Sequence, residues 1–255
     1  MVMAPPLTVV QLSDPHLGAL WGGADPLDRL AATVGHVRAM RPHPDAVLVS
    51  GDLADNAEDA EYEQLAQVLG EIGAPVYVLP GNHDDRAGLR RHFDLDGTSD
   101  APVQYAVDLE ELRLVVLDTK RDGADGGQLD SDRLAWLDSA LDVETTVTTL
   151  IAMHHPPITT GVPAMDAIGL PVADRDGLRD VVARHPQVKR LVSGHVHRAI
   201  AGEFAGRAVL AAPSTYVQLE LDFQTSGLSF SADPPGFAVH LAMDGQVISH
   251  VQTVA

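Results

Sequence analysis

Short hydrophobic runs alternate along the chain with longer segments in which hydrophobic residues recur every three or four positions. The runs are typical of buried strands and lie at Leu7–Leu12, Ala46–Ser50, Pro75–Leu79, Thr148–Met153 and Val188–Ser193. The segments with helical spacing are Asp25–Met40, Glu58–Leu69, Arg86–Phe93, Ser131–Leu141 and Gly177–Arg184. Repeated β-α-β units of this kind predict an α/β fold with parallel strand pairs.

Six further strands are predicted, the first two as a hairpin and the other four as late antiparallel additions. They are Gln104–Leu109, Leu112–Asp118, Ile200–Phe204, Ala208–Ala212, Phe237–Met243 and Val247–Val254. Asp244 and Gly245 separate the last two runs, and an Asp-Gly pair in this position is a strong hairpin signal. The chain is therefore expected to form a layered α/β fold built around mixed sheets.

Two long segments, His155–Ala173 and Pro213–Gly236, carry neither pattern. Loops longer than about 12–15 residues in a compact domain are usually functional, so both segments are candidate walls of a binding site. The first is too apolar for a solvated loop and too rich in proline for a regular helix. Because the chain has no internal repeat and no low-complexity linker, we expect one domain over residues 1–255, with cap-like loops at about 155–173 and 213–236.

Composition narrows the class of protein. Hydrophobic residues make up 45% of the 255 residues and charged residues 21%, a profile typical of a folded soluble protein. The net charge of −19 disfavours nucleic-acid polymers and anionic membranes as partners. The absence of cysteine excludes disulfides and thiolate metal ligands. Because Met1–Leu12 lacks the basic region and apolar core of a secretory signal, we expect a cytoplasmic location.

Five short polar motifs each follow directly after a predicted strand. They are Asp14-Pro15-His16, Gly51-Asp52-Leu53, Gly81-Asn82-His83-Asp84, His154-His155 and Gly194-His195-Val196-His197. Because the carboxyl ends of strands line the ligand crevice of an α/β sheet, we expect the motifs to converge. The histidines outside these motifs are expected at the surface: His36, His43, His92, His185, His240 and His250.

The convergent motifs supply side chains suited to metal binding. They are Asp14, His16, Asp52, Asn82, His154, His195 and His197. This set is too large for one zinc ion, which prefers four ligands. Shared between two ions, with one carboxylate bridging, it gives each ion about four protein ligands and leaves room for water. The mixture of imidazole and carboxylate suits Zn, Fe, Mn, Co or Ni rather than Ca or Cu(I).

In their order along the chain, the five motifs resemble those of the calcineurin-like metallophosphoesterases: D-x-H, G-D, G-N-H-D, H-H and G-H-x-H. The resemblance covers essentially the whole chain and is close to the bacterial branch that contains cyclic-AMP phosphodiesterases and glycerophosphodiesterases. It implies a metallophosphoesterase-type layered sandwich, in which two mixed β-sheets are flanked by helices. Relatives in this branch often form dimers, so the resemblance also makes a homodimer a possible assembly.

The resemblance implies two ligand sets that share one aspartate. The first set is Asp14, His16, Asp52 and His197, and the second is Asp52, Asn82, His154 and His195. His83 is expected to contact the phosphate or donate a proton rather than bind a metal, because the neighbouring Asn82 is already the ligand from this motif. Asp55 is a further candidate, since a carboxylate commonly fixes the tautomer of an imidazole such as that of His83. A solvated acid is an equally good interpretation of Asp55, and His155 is expected to be structural.

These residues predict a binuclear metal-dependent phosphodiesterase. Two divalent ions (Mn, Fe, Zn or Co) with a bridging hydroxide would form a locally cationic centre and supply a nucleophile at neutral pH. We expect in-line attack on a small diester, assisted by Asn82 and His83. The resemblance implies 3′,5′-cyclic nucleotides such as cyclic AMP first and glycerophosphodiesters second. A phosphomonoesterase or protein phosphatase on the same fold is the alternative, whereas a non-catalytic scaffold would need none of these ligands.

Overall fold

Two β-sheets lie face to face at the centre of the structure, a computed structural model that describes residues 6–254. The strands in chain order are β1 (Leu7–Leu12), β2 (Ala46–Ser50), β3 (Val76–Leu79), β4 (Tyr105–Leu109), β5 (Leu112–Val116), β6 (Thr148–Ala152), β7 (Val188–Ser193), β8 (Ile200–Phe204), β9 (Arg207–Ala211), β10 (Gln218–Leu219), β11 (Phe230–Ser231), β12 (Gly236–Met243) and β13 (Gln246–Thr253). The helices are α1 (Pro26–Ala39), α2 (Asp59–Gly70), α3 (Arg86–His92), α4 (Ser131–Asp142), α5 (Pro163–Ala167) and α6 (Val172–Arg184). The ends of the expected domain, residues 1–5 and 255, lie outside the described residues.

Both sheets are mixed, which confirms the fold class expected from the sequence. In the first sheet, of order β13-β12-β1-β2-β3, β1 to β3 are parallel and β12 runs antiparallel to both neighbours. The second sheet has the order β4-β5-β6-β7-β9-β8, with four parallel strands at its centre and an antiparallel strand at each edge. The prediction of an antiparallel addition was wrong for β9, which runs parallel to β7 and antiparallel only to β8. The polar motifs therefore follow parallel strands of both sheets.

Hydrophobic side chains form one layer between the sheets and one on the outer face of each. Between the sheets, Val9 and Leu48 pack with Leu114 and Leu150, and all four are fully buried. Helices α1 and α2 cover the outer face of the first sheet, and α4 and α6 cover that of the second. Because burial of one such side chain contributes about 1.5–3 kcal/mol, these layers hold the sheets together.

The proline-rich segment contains more helix than the sequence pattern predicted. A short helix, α5, begins at Pro163, and α6 begins at Val172, five residues before the predicted start at Gly177. Proline is compatible with the first turn of a helix, where its missing N–H has no partner to lose. The prediction that these prolines exclude regular helix was therefore wrong at both places. Gly177 lies inside α6, where a Cβ would come within 2.6 Å of Leu134 of α4.

Two histidines expected at the surface are buried. His185 is 4% exposed, and its Nε2 lies 2.8 Å from a carboxylate oxygen of Asp138. His240, on β12, is fully buried and hydrogen-bonded on both ring nitrogens. The surface expectation failed because each ring has polar partners from distant parts of the chain. Within residues 6–254, no helix combines the length and hydrophobicity needed to cross a membrane.

Candidate metal centre

The five polar motifs meet at one end of the two sheets. The loops after β1, β2 and β3 bring Asp14, His16, Asp52, Asn82 and His83 from the first sheet, and the loops after β6 and β7 bring His154, His195 and His197 from the second. All are buried except Asn82, which is half-buried, and His83, whose side chain is 36% exposed. The motifs thus converge, as their positions after predicted strands led us to expect.

The backbone at this end of the sheets is strained. Nine described non-glycine residues have positive φ, and five of them are metal-ligand candidates: Asp14, His16, Asp52, His195 and His197. Such conformations cost about 1–3 kcal/mol each and persist only where the surroundings impose them. Gly51, at φ 97°, also lies against the His154 ring. A Cβ at this position would come within 2.2 Å of His154 Nδ1.

Asp52 lies between the two groups of ligands. Its Oδ2 is 3.5 Å from His16 Nε2 and 3.3 Å from His154 Nε2, whereas its Oδ1 accepts a hydrogen bond of 2.9 Å from the backbone N–H of His83. One carboxylate oxygen therefore faces an imidazole of the first sheet and an imidazole of the second. This is the position that a bridging ligand requires.

Two compact donor groups flank Asp52. On one side, His16 Nε2 is 3.1 Å from His197 Nε2, which lies 3.7 Å from Asp14 Oδ1. On the other side, Asn82 Oδ1 is 3.1 Å from both His154 Nε2 and His195 Nδ1. The two groups match the two ligand sets that the resemblance implies.

The outward nitrogen of each candidate histidine has a hydrogen-bond acceptor. His16 Nδ1 lies 3.0 Å from the Asp55 carboxylate, and His154 Nδ1 lies 2.9 Å from the Ser50 carbonyl oxygen. His195 Nε2 and His197 Nδ1 likewise contact the carbonyl oxygens of Ile168 and Val217, at 3.2 and 2.9 Å. Such partners fix the tautomer and direct the other nitrogen towards a metal.

The donor set fits metal ions. When the rings are neutral and their outward nitrogens carry the hydrogen, each inward nitrogen presents a lone pair. These lone pairs face one another and also face two carboxylates and the amide oxygen of Asn82. In this protonation state none of these groups donates a hydrogen bond to its neighbour. Metal ions between them would stabilise such a cluster, and mixed nitrogen and oxygen ligands suit divalent transition metals.

Burial and charge act in opposite directions on the candidate histidines. Burial lowers the pKa of His195 and that of His197, which favours the neutral form that a metal ligand requires. Burial also opposes protonation of His154, but the nearby Asp52 carboxylate outweighs it and raises the pKa of His154 to about 9. His154 would have to be neutral to act as a metal ligand.

Asp55 has a different partner from the one that the sequence indicated. The sequence left its carboxylate either orienting His83 or solvated, but the carboxylate is 13% exposed, contacts His16 Nδ1 at 3.0 Å and accepts a hydrogen bond of 3.1 Å from Trp21 Nε1. His83 Nδ1 instead contacts the backbone carbonyl oxygen of Asp55 at 3.0 Å and lies 3.6 Å from its carboxylate. The carboxylate thus orients a candidate metal ligand, and the backbone holds His83.

Asp84 is a site residue to which the sequence analysis assigned no role. Its buried carboxylate accepts hydrogen bonds from the backbone N–H groups of Gly81 and Leu53, at 2.8 and 3.1 Å, and from the Tyr62 hydroxyl at 3.2 Å. It thereby joins the loop that carries Asp52 to the loop that carries Asn82. Its place in the Gly-Asn-His-Asp motif was the available signal.

His155 and Lys120 support the cluster from outside. His155 is buried, its ring nitrogens contact the Thr119 hydroxyl and the Asp125 carbonyl oxygen, and its ring centroid is 4.4 Å from that of His195. Burial lowers the pKa of His155 to about 3, so the ring is neutral. Lys120 Nζ donates a hydrogen bond of 2.9 Å to the backbone carbonyl oxygen of Asn82. Lys120 follows the predicted strand Leu112–Asp118, and this position after a strand could have indicated that it is a site residue.

A cavity of about 210 Å³ opens beside the donor cluster. Its polar lining consists of His16, Asp52, Asn82, His83, His195 and His197. Its apolar lining, called here the apolar wall, consists of Trp21, Met165, Ile168, Val196, Leu219, Leu228 and Phe230. The Trp21 and Phe230 rings stack at 4.8 Å, and Met165 packs in one hydrophobic cluster with Leu219. The two segments that the sequence left unassigned thus supply most of the wall.

Comparison with known proteins identifies the family. The profile of the family described as calcineurin-like phosphoesterase matches residues 7–199, which include every candidate metal ligand. The chain belongs to this family. The resemblance inferred from the motifs is therefore confirmed.

Individual relatives extend the comparison over nearly the full chain. The protein is 31% identical over 241 residues to a probable glycerophosphodiester phosphodiesterase, GpdQ, of Arcobacter nitrofigilis, covering 92% of this chain and 88% of that protein. It is 32% identical over 253 residues to the 3′,5′-cyclic adenosine monophosphate phosphodiesterase CpdA of Pseudomonas aeruginosa, covering 96% and 89%. Its fold is also that of a dimetal phosphatase from Danio rerio, with a TM-score of 0.72, 16% identity and coverage of 99% and 100%.

Proposed function

We propose that this calcineurin-like phosphoesterase is a binuclear metal-dependent phosphodiesterase that acts on small phosphodiesters. The observation that carries this proposal is the position of Asp52 Oδ2, which lies 3.5 Å from an imidazole of the first sheet and 3.3 Å from one of the second. A site for a single ion would need no carboxylate shared between two sets of donors. The named activities of GpdQ and CpdA support the diester class.

We assign the ligands to two metal positions that share Asp52. The first position would use Asp14, His16, Asp52 and His197, and the second Asp52, Asn82, His154 and His195. Mn, Fe, Zn or Co ions in these positions would supply Lewis acidity, lowering the pKa of water towards ~7 and screening the phosphoryl charge. Because neither sheet carries a complete set, we also propose that the two sheets belong to one domain.

His83 is the candidate proton donor for the leaving group. Its side chain lines the cavity at the mouth of the cluster, and its Nδ1 contacts the carbonyl oxygen of Asp55. The protonated ring would therefore carry its transferable proton on Nε2, on the other side of the ring. Asn82 lies next to it and can contact a phosphoryl oxygen through its amide group. A positioned acid of this kind contributes roughly 10²–10⁴-fold to a rate.

The cavity favours a diester over a monoester. None of the described side chains that line it is a lysine or an arginine, so no permanently charged cationic side chain there would balance the second charge of a phosphomonoester. Its apolar wall, which includes Trp21 and Phe230, suits a bulky group with a flat face better than a glycerol group. We therefore place 3′,5′-cyclic nucleotides such as cyclic AMP before glycerophosphodiesters. A cytoplasmic location and a homodimer stay predictions from the sequence.

Turnover measured on matched substrates tests the proposal. The protein is stripped with a chelator and reloaded with Mn²⁺, and kcat/KM is compared for bis(p-nitrophenyl) phosphate, p-nitrophenyl phosphate, cyclic AMP and glycerophosphoethanolamine. We expect hydrolysis of the aryl diester to exceed that of the aryl monoester by at least about tenfold, and cyclic AMP to exceed glycerophosphoethanolamine. Faster hydrolysis of the aryl monoester would identify a phosphomonoesterase, and metal-independent turnover would exclude the proposed centre.

A further inference from the structure

The proposed metal centre takes its ligands from both sheets, so its geometry depends on how the sheets lie against each other. The ligands of the second metal position are divided equally between the sheets: Asp52 and Asn82 come from the first sheet, and His154 and His195 come from the second. The layer between the sheets is mainly hydrophobic, and hydrophobic contact has no directional preference. A directional contact near the ligands is therefore needed to fix the distance between the two pairs.

The Gln11 side chain makes such a contact. Gln11 is fully buried on β1, and its Nε2 donates hydrogen bonds of 2.9 Å to the Ser193 carbonyl oxygen and 2.7 Å to the Ser50 hydroxyl. Ser193 ends β7 two residues before His195, and Ser50 ends β2 two residues before Asp52. One amide group therefore joins the ends of the two strands whose loops carry these ligands.

Further hydrogen bonds extend from this amide group to His154. The Ser50 carbonyl oxygen accepts a hydrogen bond of 2.9 Å from His154 Nδ1, and the His154 carbonyl oxygen accepts one of 3.0 Å from the backbone N–H of Gly194. A displacement of the second sheet at Ser193 would consequently move His154 and His195 together, away from Asp52 and Asn82.

His240 fixes the orientation of the Gln11 amide. Its Nε2 lies 3.0 Å from Gln11 Oε1, and its Nδ1 lies 2.6 Å from the Ser249 hydroxyl. A neutral ring that donates from Nε2 and accepts at Nδ1 satisfies both contacts, and burial, which lowers the pKa of His240 to about 3, keeps the ring neutral. With its oxygen bound to His240, the Gln11 amide must direct its two N–H groups towards Ser193 and Ser50.

We propose that Gln11, oriented by His240, is a positioning residue that sets the distance between the ligand pairs of the second metal position. This inference rests on the proposed binuclear centre. Neither residue touches the cluster, and both act through strand ends. The first position should depend less on this link, since three of its ligands, Asp14, His16 and Asp52, come from the first sheet alone.

Calorimetric titration of the metal-stripped protein with Mn²⁺ tests the proposal. The variants are Gln11→Met and His240→Phe, which remove the hydrogen bonds at similar volume, and His240→Gln, whose amide can still donate to Gln11. We expect the first two to weaken the second Mn²⁺ site by roughly 10–100-fold, the usual effect of removing a partner outside the ligand sphere. The first site should change by less than about threefold, and His240→Gln should restore the second site to near wild type.

Leu114→Ala is the matched control, because Leu114 is buried between the sheets on β5, a strand with no candidate ligand. It should lower the unfolding temperature and leave both Mn²⁺ affinities unchanged. Unchanged second-site binding in Gln11→Met and His240→Phe, or equal weakening in Leu114→Ala, would overturn the positioning role. If Gln11→Met fails to fold, the contrast between His240→Phe and His240→Gln decides the result. Wild-type protein that binds only one Mn²⁺ would instead contradict the binuclear centre.

Discussion

The donor cluster and the apolar wall line one cavity and are built in different ways. The cluster stands on strand ends, is almost entirely buried, and contains five residues with positive φ whose side chains are held by further hydrogen bonds. The wall comes from segments with little regular structure, and it ends in exposed hydrophobic residues such as Leu228 and Phe230, which are 53% and 42% exposed. We therefore expect the buried cluster to carry the chemistry and the apolar wall to select the leaving group.

This difference predicts that substitutions in the cluster affect all substrates, whereas substitutions in the wall affect substrates unequally. The largest effect is expected at Asp52. Asp52→Asn should reduce turnover of every substrate by at least about 10³-fold, because both proposed metal positions would lose a shared anionic ligand. Chelation of the wild-type protein should abolish turnover, and added Mn²⁺ or Co²⁺ should restore it. Substantial turnover in Asp52→Asn, measured with bis(p-nitrophenyl) phosphate, would contradict the bridging role.

His83→Ala should separate proton donation from metal binding. We expect a loss of roughly 10²–10⁴-fold in kcat for cyclic AMP, whose alkoxide leaving group needs a proton. The loss for p-nitrophenyl esters should be smaller, because that leaving group is stable as an anion, and metal content should stay unchanged. Equal losses for the two kinds of substrate would show that His83 is not the acid.

The double variant Met165→Ser, Ile168→Ser addresses the wall. Both side chains line the cavity, so their loss should raise KM for cyclic AMP by roughly tenfold and change KM for a minimal aryl diester much less. Steady-state kinetics with the two substrates gives the comparison, and light scattering records the solution mass in parallel. If both KM values and the mass stay at wild-type levels, the segment only covers the core.

Phe223→Ser marks the outer limit of the wall and should have the smallest effect. Phe223 is 60% exposed, packs near Gly161 and does not line the cavity. Because Phe223 does not line the cavity, we expect every KM to stay within about twofold of wild type. Surface substitutions of this kind also usually change the free energy of unfolding by less than about 0.5 kcal/mol. A selective rise in KM for cyclic AMP would extend the wall to this residue, and a fall in solution mass would place Phe223 in a subunit interface.

The convergence of the five motifs could be predicted from the sequence because each motif directly follows a strand, and the carboxyl ends of neighbouring parallel strands lie at one edge of a sheet. It could not predict contacts that depend on pairing between distant segments. The Asp55 carboxylate binds His16 because the loop after β1 also brings Trp21 against it. His240 reaches Gln11 only because β12 runs antiparallel to β1, pairing Val9 with His240 and Gln11 with Ala238. The helix α5 was missed because the sequence alone does not distinguish a proline at the first position of a helix from a proline that prevents a helix.

The number of metal ions bound per chain is the most direct test of the account. Metal-stripped protein is reloaded with Mn²⁺, freed of excess ion by gel filtration and measured by elemental analysis beside the Asn82→Ala and Asp52→Ala variants. The account predicts two Mn²⁺ per chain for the wild type, close to one for Asn82→Ala, and less than one for Asp52→Ala. A wild-type protein that retains one ion or fewer would contradict the binuclear centre.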